Sequence, residues 1–96
     1  MSSYSGSRPD STSSHVRSRL IEIVSRIARI DPEEMADDVL IRDELGIDSL
    51  MAMEIVAATE QALEVSIDEG RVSCVETVED FVQLVENLYR FRPRGD

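Results

Sequence analysis

Apolar residues recur at helical spacing in three separate stretches of this 96-residue chain, and this periodicity constrains the fold more than any other feature. The first helix is predicted to begin at Ser14, with Ser13 or Ser14 as its cap. It should end by Ile30, because Asp31 precedes Pro32 and residues before proline avoid the helical region. Its apolar positions are Val16, Leu20, Ile23, Val24 and Ile27.

The last stretch has the clearest start signal. Thr77 and Asp80 have the spacing of a capping box, with Asp where Glu or Gln is usual. Arg90 and Arg92 suit the negative end of a helix, and Pro93 should stop it. The apolar face consists of Val78, Phe81, Val82, Val85, Leu88 and Tyr89. The sequence therefore predicts a well-bounded final helix.

The middle stretch predicts a second long helix from Ser49 to Leu63 or Glu64. Its predicted core face is Ala52, Ile55, Val56, Thr59, Ala62 and Leu63. A short helical turn should follow from Asp68 to Val72, weakened by Gly70. No strand pattern competes, so the expected fold class is all-α. We predict a small four-helix bundle with three long helices and one short helix.

The length indicates one domain. We predict a disordered Ser-rich tail over residues 1–13, a folded domain over 14–90 and a flexible tail over 91–96. Asp31 and Pro32 form a helix-start signal with Asp31 as the cap, and one helical turn is expected there. The connector over residues 37–47 should pack across the helix ends, with one helical turn over 41–45.

Charge and composition restrict the classes of partner. Ten arginines and twenty acidic residues give a formal charge of −10, yet residues 31–87 hold seventeen acids and two arginines. Such a field repels nucleic acid and anionic membranes and attracts basic protein surfaces. The N-terminus has no apolar signal segment and no run is long enough to span a bilayer, which favours the cytoplasm. Cys74 is the single cysteine, and neither it nor His15 has companions at metal-ligand spacing, so no metal is expected.

The sequence LGIDSL, residues 45–50, is the principal candidate site. Asp48 is a good helix N-cap, which makes Ser49 the first helical residue and places its hydroxyl near the positive end of the helix dipole. Gly46 is well placed to adopt a positive φ before the helix. Because Asp43, Glu44 and other acids surround the site, a free anion would be repelled, and a phosphate held there should be covalently attached.

This arrangement resembles the acyl carrier proteins of fatty-acid and polyketide synthesis, over about residues 15–90. The resemblance implies that Ser49 carries a covalent 4′-phosphopantetheine arm and that Asp48 helps to dock the phosphopantetheinyl transferase. It further implies a carrier that is no enzyme, has no catalytic residue and holds acyl groups as thioesters. Partner-binding positions carried over from the family are Leu50, Met53, Glu54, Glu60 and Ile67.

The resemblance implies partners of the acyltransferase, ketosynthase or acyl-ligase type with basic docking surfaces, and a monomeric carrier. Met51, Gly70 and Arg71 depart from the acidic pattern usual in bacterial fatty-acid carriers. These departures favour polyketide or other specialised acyl synthesis. The small residues Ala57, Ala58 and Ala62 suggest room for cargo within the bundle.

Other classes of protein remain open to different degrees. A peptidyl or aminoacyl carrier would share the fold and Ser49, although its second helix is usually less acidic. An acidic adaptor without a prosthetic group is also compatible with the composition. A calcium loop over residues 43–54 fails because Leu45 and Ile47 occupy positions that need oxygen ligands. A serine hydrolase is the weakest alternative, because Ser49 lacks a nucleophile-elbow frame and a nearby base.

Overall fold

Four helices form the fold of the computed structural model, which describes residues 11–91, with side chains from residue 15 onward. They are α1 (Ser11–Ala28), α2 (Ser49–Leu63), α3 (Glu69–Val72) and α4 (Val78–Arg90). Three are long and one is short, which confirms the predicted all-α bundle. Helix α1 begins at Ser11, before the predicted start at Ser14. The prediction missed these first residues because they are polar, and apolar periodicity cannot detect polar residues. The tails predicted over 1–13 and 91–96 fall largely on residues 1–10 and 92–96, outside the described residues.

The core lies between α1 and the two other long helices, since α1 packs against both α2 and α4. The largest side chains with almost no exposure are Val16, Leu20, Ile23, Thr59 and Val85. Most of the predicted apolar positions are buried or half-buried. Ala62 is an exception: it is exposed although it was predicted to belong to the core face of α2. It lies at the border of the buried stripe formed by Ile55, Thr59 and Leu63.

Two of the long helices end in a left-handed residue that is not glycine. Arg29 follows α1 with φ 59° and Glu64 follows α2 with φ 57°. After α1 the Ile30 N–H donates to the Ser25 carbonyl at 3.2 Å. The Ser25 hydroxyl in turn donates to the Ile30 carbonyl at 2.6 Å. These bonds satisfy groups that a helix end leaves unpaired.

The segment after α1 makes a short 3₁₀ turn, Pro32–Glu34. Asp31 occupies the N-cap position as predicted, but the prediction of a side-chain cap was wrong, because the Asp31 side chain makes no capping hydrogen bond. The Asp31 carbonyl instead accepts from the Glu34 N–H at 2.9 Å. The turn ends one residue before Met35, whose side chain is buried and anchors the connector to the core.

Hydrogen bonds to the start of α4 hold the connector in place. The Ile41 N–H donates to the Glu76 carbonyl at 2.9 Å, and the Val78 N–H donates to the Val39 carbonyl at 3.1 Å. Residues 41–45 form the predicted single helical turn, in which the Glu44 N–H donates to the Leu40 carbonyl at 2.9 Å and the Gly46 N–H donates to the Arg42 carbonyl at 3.1 Å. The connector therefore brings the segment that precedes α2 to the N-terminal end of α4. Within residues 11–91, no helix has the length and apolar character needed to cross a membrane.

Candidate functional site

The start of α2 is fixed by Asp48. Its carboxylate accepts from the Met51 N–H at 2.9 Å, and its carbonyl accepts from the Ala52 N–H at 2.9 Å. Gly46, two residues earlier, has φ 71°. The predicted N-cap and the predicted positive φ are both confirmed. Together they determine how the chain turns from the connector into the helix.

Ser49 is the first residue of α2, and its side chain is exposed. The N–H groups of Ser49 and Leu50 lie in the first helical turn, where no preceding helical carbonyl can accept from them. A phosphodiester attached to the hydroxyl would thus lie near unpaired donors at the positive end of the helix dipole. An exposed serine with adjacent donors fits a covalently attached phosphodiester.

The serine has no histidine beside it. His15, the only histidine in the chain, packs its ring against Tyr89 at the far end of α4, with the ring centroids 5.8 Å apart. The acids near Ser49 are exposed, and one of them, Glu44, accepts from the Leu40 N–H at 2.7 Å. The arrangement offers an accessible hydroxyl for modification by another enzyme rather than a base-activated nucleophile.

Three predicted partner-binding residues lie together on the surface beside the serine. Leu50 is 68% exposed and Met53 is 63% exposed, which is high for large apolar side chains. Glu54 is also exposed, and Met51 is half-buried. Leu50, Met53 and Glu54 are spaced three and four residues apart, so they share one face of α2. We refer to these three residues as the α2 patch.

The remaining two predicted partner residues, Glu60 and Ile67, do not join the α2 patch. Ile67 is 7% exposed and belongs to the core. The Glu60 carboxylate accepts from the Ile67 N–H at 2.8 Å, which gives this acid a bond within the fold. A partner could reach only the small exposed parts of these side chains. The sequence shows that Glu60 is acidic and Ile67 apolar, whereas the hydrogen bond between these two residues depends on the fold.

An apolar cavity of about 60 Å³ lies inside the bundle. Its lining includes Leu20, Val24, Ala52, Ile55, Val56 and Phe81. Of these, Ala52 lies one turn from Ser49, so the cavity approaches the end of α2 that carries the serine. The predicted source of this space was wrong: Ala57 and Ala62 are exposed and Ala58 is half-buried. Periodicity identifies buried faces, but it cannot locate gaps between them.

Among the described residues, no group of three or more His, Cys, Asp or Glu side chains is arranged to hold a metal ion. Cys74 is exposed and forms no disulfide.

Comparison with known proteins identifies a family whose matched region includes the segment around Ser49. A family model described as "Phosphopantetheine attachment site" matches residues 18–85. An acyl carrier protein of Sulfurovum sp. is 30% identical over 67 residues, covering 70% of this chain and 89% of that protein. The meromycolate extension acyl carrier protein of Mycolicibacterium smegmatis is 30% identical over 84 residues, covering 88% of this chain and 85% of the relative.

A larger protein contains a similar segment. The citrinin polyketide synthase of Monascus ruber is 35% identical over 82 residues, which cover 85% of this chain and 3% of the synthase. Similar sequences thus occur both as small proteins of about this length and within a very long polypeptide.

Proposed function

This chain belongs to the acyl carrier protein family, whose members carry covalently attached 4′-phosphopantetheine, and on that premise we propose that Ser49 is the attachment site. The observation that carries the proposal is the exposure of the Ser49 hydroxyl at the first residue of a helix capped by Asp48. The hydroxyl is accessible to a transferase. The adjacent N–H groups favour the negative charge of the phosphodiester that results.

When bound, the prosthetic group supplies a flexible arm whose terminal thiol holds acyl groups as thioesters, which raises their effective concentration at successive active sites. The carrier itself is not a catalyst. Its residues supply the attachment oxygen, a rigid helix start and a recognisable surface. Asp48 fixes the direction of the first turn, so a partner that recognises α2 also receives Ser49 in a defined position.

We assign partner recognition to the α2 patch. Leu50 and Met53 offer apolar area, and methionine adapts to differently shaped partners. Glu54 and the acids around the connector attract basic surfaces and chiefly raise the association rate. Suitable partners are a phosphopantetheinyl transferase and enzymes of the acyltransferase, ketosynthase or acyl-ligase type with basic rims. Glu60 and Ile67 are expected to act on docking only through the shape of the fold.

The acyl synthesis that this carrier serves is proposed to be polyketide or other specialised synthesis. The similarity to a segment of the citrinin polyketide synthase supports this choice. The similarity to a meromycolate extension carrier is compatible with extension of other acyl chains. Loading assays with malonyl and longer acyl donors, alongside aminoacyl adenylates, would distinguish these substrate classes and the peptidyl-carrier alternative.

The attachment site is tested by intact mass after incubation with coenzyme A, magnesium and a promiscuous phosphopantetheinyl transferase. The natural chain should gain one phosphopantetheine. Ser49→Ala should gain none, whereas Ser66→Ala, which removes another exposed serine, should gain as much as the natural chain. Circular dichroism should show that all three proteins keep the same helical content.

If Ser49→Ala gains as much mass as the natural chain, the attachment site must be a residue other than Ser49. A folded natural chain that gains no mass would remove the support for carrier function. These two results have different consequences, since the first preserves the carrier role and the second does not.

A further inference from the structure

Thr59 presents a polar group in a place that otherwise holds only apolar side chains. The residue is 0% exposed and lies on the buried face of α2, between Ile55 and Leu63. Its hydroxyl oxygen has no hydrogen-bond partner among the described residues, and it is the one buried side-chain oxygen or nitrogen of which this is true there. Leaving a buried hydroxyl unbonded is unfavourable, so its presence requires a physical explanation.

The ordinary explanation for a buried helical threonine is a bond to its own helix. A threonine hydroxyl often donates to the carbonyl four residues earlier, which here belongs to Ile55. That bond is not formed in this structure. The hydroxyl therefore retains its capacity to donate and to accept, within surroundings where a hydrogen bond is stronger than in water.

Thr59 does not itself line the internal cavity, but it lies on the same helix as three residues that do. Ala52, Ile55 and Val56 line that cavity along α2, in order of increasing distance from Ser49. Thr59 follows at the next turn of the same buried stripe, four residues after Ile55. A chain that enters near Ala52 and extends along α2 would advance about 10 Å before it reaches the level of Thr59. The cavity is only about 60 Å³, so an acyl chain must displace side chains as it extends in this direction.

We propose that the Thr59 hydroxyl is a specificity-determining group that binds an oxygen on the distal part of an acyl chain held inside the bundle. The ligand class is an acyl group with a carbonyl remote from the thioester, as distinct from a fully reduced chain. Insertion of such a chain gives the hydroxyl the partner it lacks, and it gives the carbonyl a donor within an otherwise apolar space. A fully reduced chain has no distal carbonyl, so it cannot form this bond and the Thr59 hydroxyl stays without a partner. This inference rests on the proposed attachment at Ser49.

The test compares cargoes of equal length on the full chain. Octanoyl, 7-oxooctanoyl and 3-oxooctanoyl groups are attached through an amide-linked pantetheine analogue, so that hydrolysis does not interfere. Each is carried by the natural protein, by Thr59→Val, which removes the hydroxyl with little change of shape, and by Thr59→Ser, which keeps it. Thermal unfolding and the chemical shifts of the Thr59 amide and of the cavity-lining methyl groups are measured.

In the natural protein and in Thr59→Ser, the 7-oxooctanoyl cargo should raise the melting temperature by about 4 °C more than the octanoyl cargo. In Thr59→Val this difference should vanish or change sign. The 3-oxooctanoyl cargo should show a smaller difference in the natural protein and in Thr59→Ser, because its ketone lies close to the thioester. The Thr59 amide shift should respond to 7-oxooctanoyl more strongly than to octanoyl.

An equal difference between the two cargoes in the natural protein and in Thr59→Val would overturn the inference. So would the absence of shifts at the cavity-lining methyl groups with every cargo, since the chain would then stay outside the bundle. A uniform decrease in the stability of Thr59→Val, whatever the cargo, would assign the hydroxyl to the fold alone. Failure to attach any analogue at Ser49 is a separate result, which contradicts the proposed attachment site instead.

Discussion

The carboxylate of Glu60 accepts a hydrogen bond from the backbone N–H of Ile67 across 2.8 Å. This bond joins the last turn of α2 to the segment that leads into α3. It closes a loop around Val65, whose side chain is buried. An acid that looks in the sequence like part of a docking surface therefore also holds two elements together.

Replacement of Glu60 by alanine should lower the free energy of unfolding by about 1–2 kcal/mol, because the half-buried Ile67 N–H loses its charged acceptor. Urea denaturation measures the change. Glu54→Ala is the matched control: Glu54 is an exposed acid on the same helix, and its removal should change stability by less than about 0.5 kcal/mol. Equal stability of the two variants would contradict the structural role of Glu60.

Leu50→Ala should reduce kcat/KM for modification by a phosphopantetheinyl transferase by about tenfold, which corresponds to the loss of one well-buried apolar contact in the complex. Its stability should change little, because the Leu50 side chain is 68% exposed in the free protein. Phe91→Ala is the control, since Phe91 is 78% exposed but lies at the other end of α4 from the connector. A comparable loss of rate in Phe91→Ala would show that the α2 patch is not the contact surface.

Gly46→Ala should destabilise the protein by about 1–2 kcal/mol, because φ 71° is unfavourable for a residue with a Cβ. No heavy atom lies within 4 Å of the Cβ position, so the cost would come from the backbone rather than from a clash. Thermal unfolding of Gly46→Ala and Gly46→Asn measures this cost, and the asparagine variant should lose less.

Gly70→Ala is the opposite case in the same chain. Gly70 lies within α3, and a Cβ there would meet the nearest Asp68 carboxylate oxygen at 3.6 Å, an ordinary contact. Alanine should therefore stabilise the protein by up to about 1 kcal/mol. A loss of stability in Gly70→Ala would show that α3 requires a glycine.

A lower pH should destabilise the start of α4, because the Asp80 carboxylate becomes protonated. The N–H groups of Thr77 and Glu76 both donate to this carboxylate, at 3.1 Å each, and they hold the pKa of Asp80 below its ordinary value. A lowered pKa in the folded state means that the carboxylate contributes stability at pH values above the unfolded pKa, about 3.9. That contribution is lost as the pH falls through the folded value.

The stability of the natural chain should therefore exceed that of Asp80→Asn at pH 7, and the difference should shrink as the pH falls below about 4. Urea denaturation at a series of pH values measures it, and carboxyl NMR titration measures the pKa of Asp80 directly. A difference that is the same at pH 7 and pH 3 would show that the charge of Asp80 has no part in the capping box.

Local signals in the sequence were sufficient wherever a structure depends on neighbouring residues. Three features depend only on residues within a few positions, and all three are present: the capping box at Thr77, the Asp48 cap and the positive φ of Gly46. The Asp31 cap was misjudged because a 3₁₀ turn uses the backbone carbonyl instead. The left-handed residues Arg29 and Glu64 carry no glycine signal, so sequence reasoning could not identify their conformation.

Relations across the fold could not be predicted in the same way. The bond from Ile67 to Glu60 and the bridge between Leu40 and Thr77 depend on how the connector crosses the bundle. Thr59 illustrates the limit most clearly. Its spacing correctly predicts burial, but whether its hydroxyl finds a partner depends on every side chain around it.

The contact between His15 and Tyr89 fixes which ends of two long helices share a pole of the bundle. It brings the first described side chain of α1 to the end of α4, so the start of α1 and the end of α4 lie at one pole of the bundle. The start of α4 contacts the connector that leads to Ser49, and the 13 residues of α4 place the opposite pole about 20 Å away. The pole at which His15 meets Tyr89 therefore lies away from Ser49, the proposed attachment site, and from the partners proposed to dock beside it.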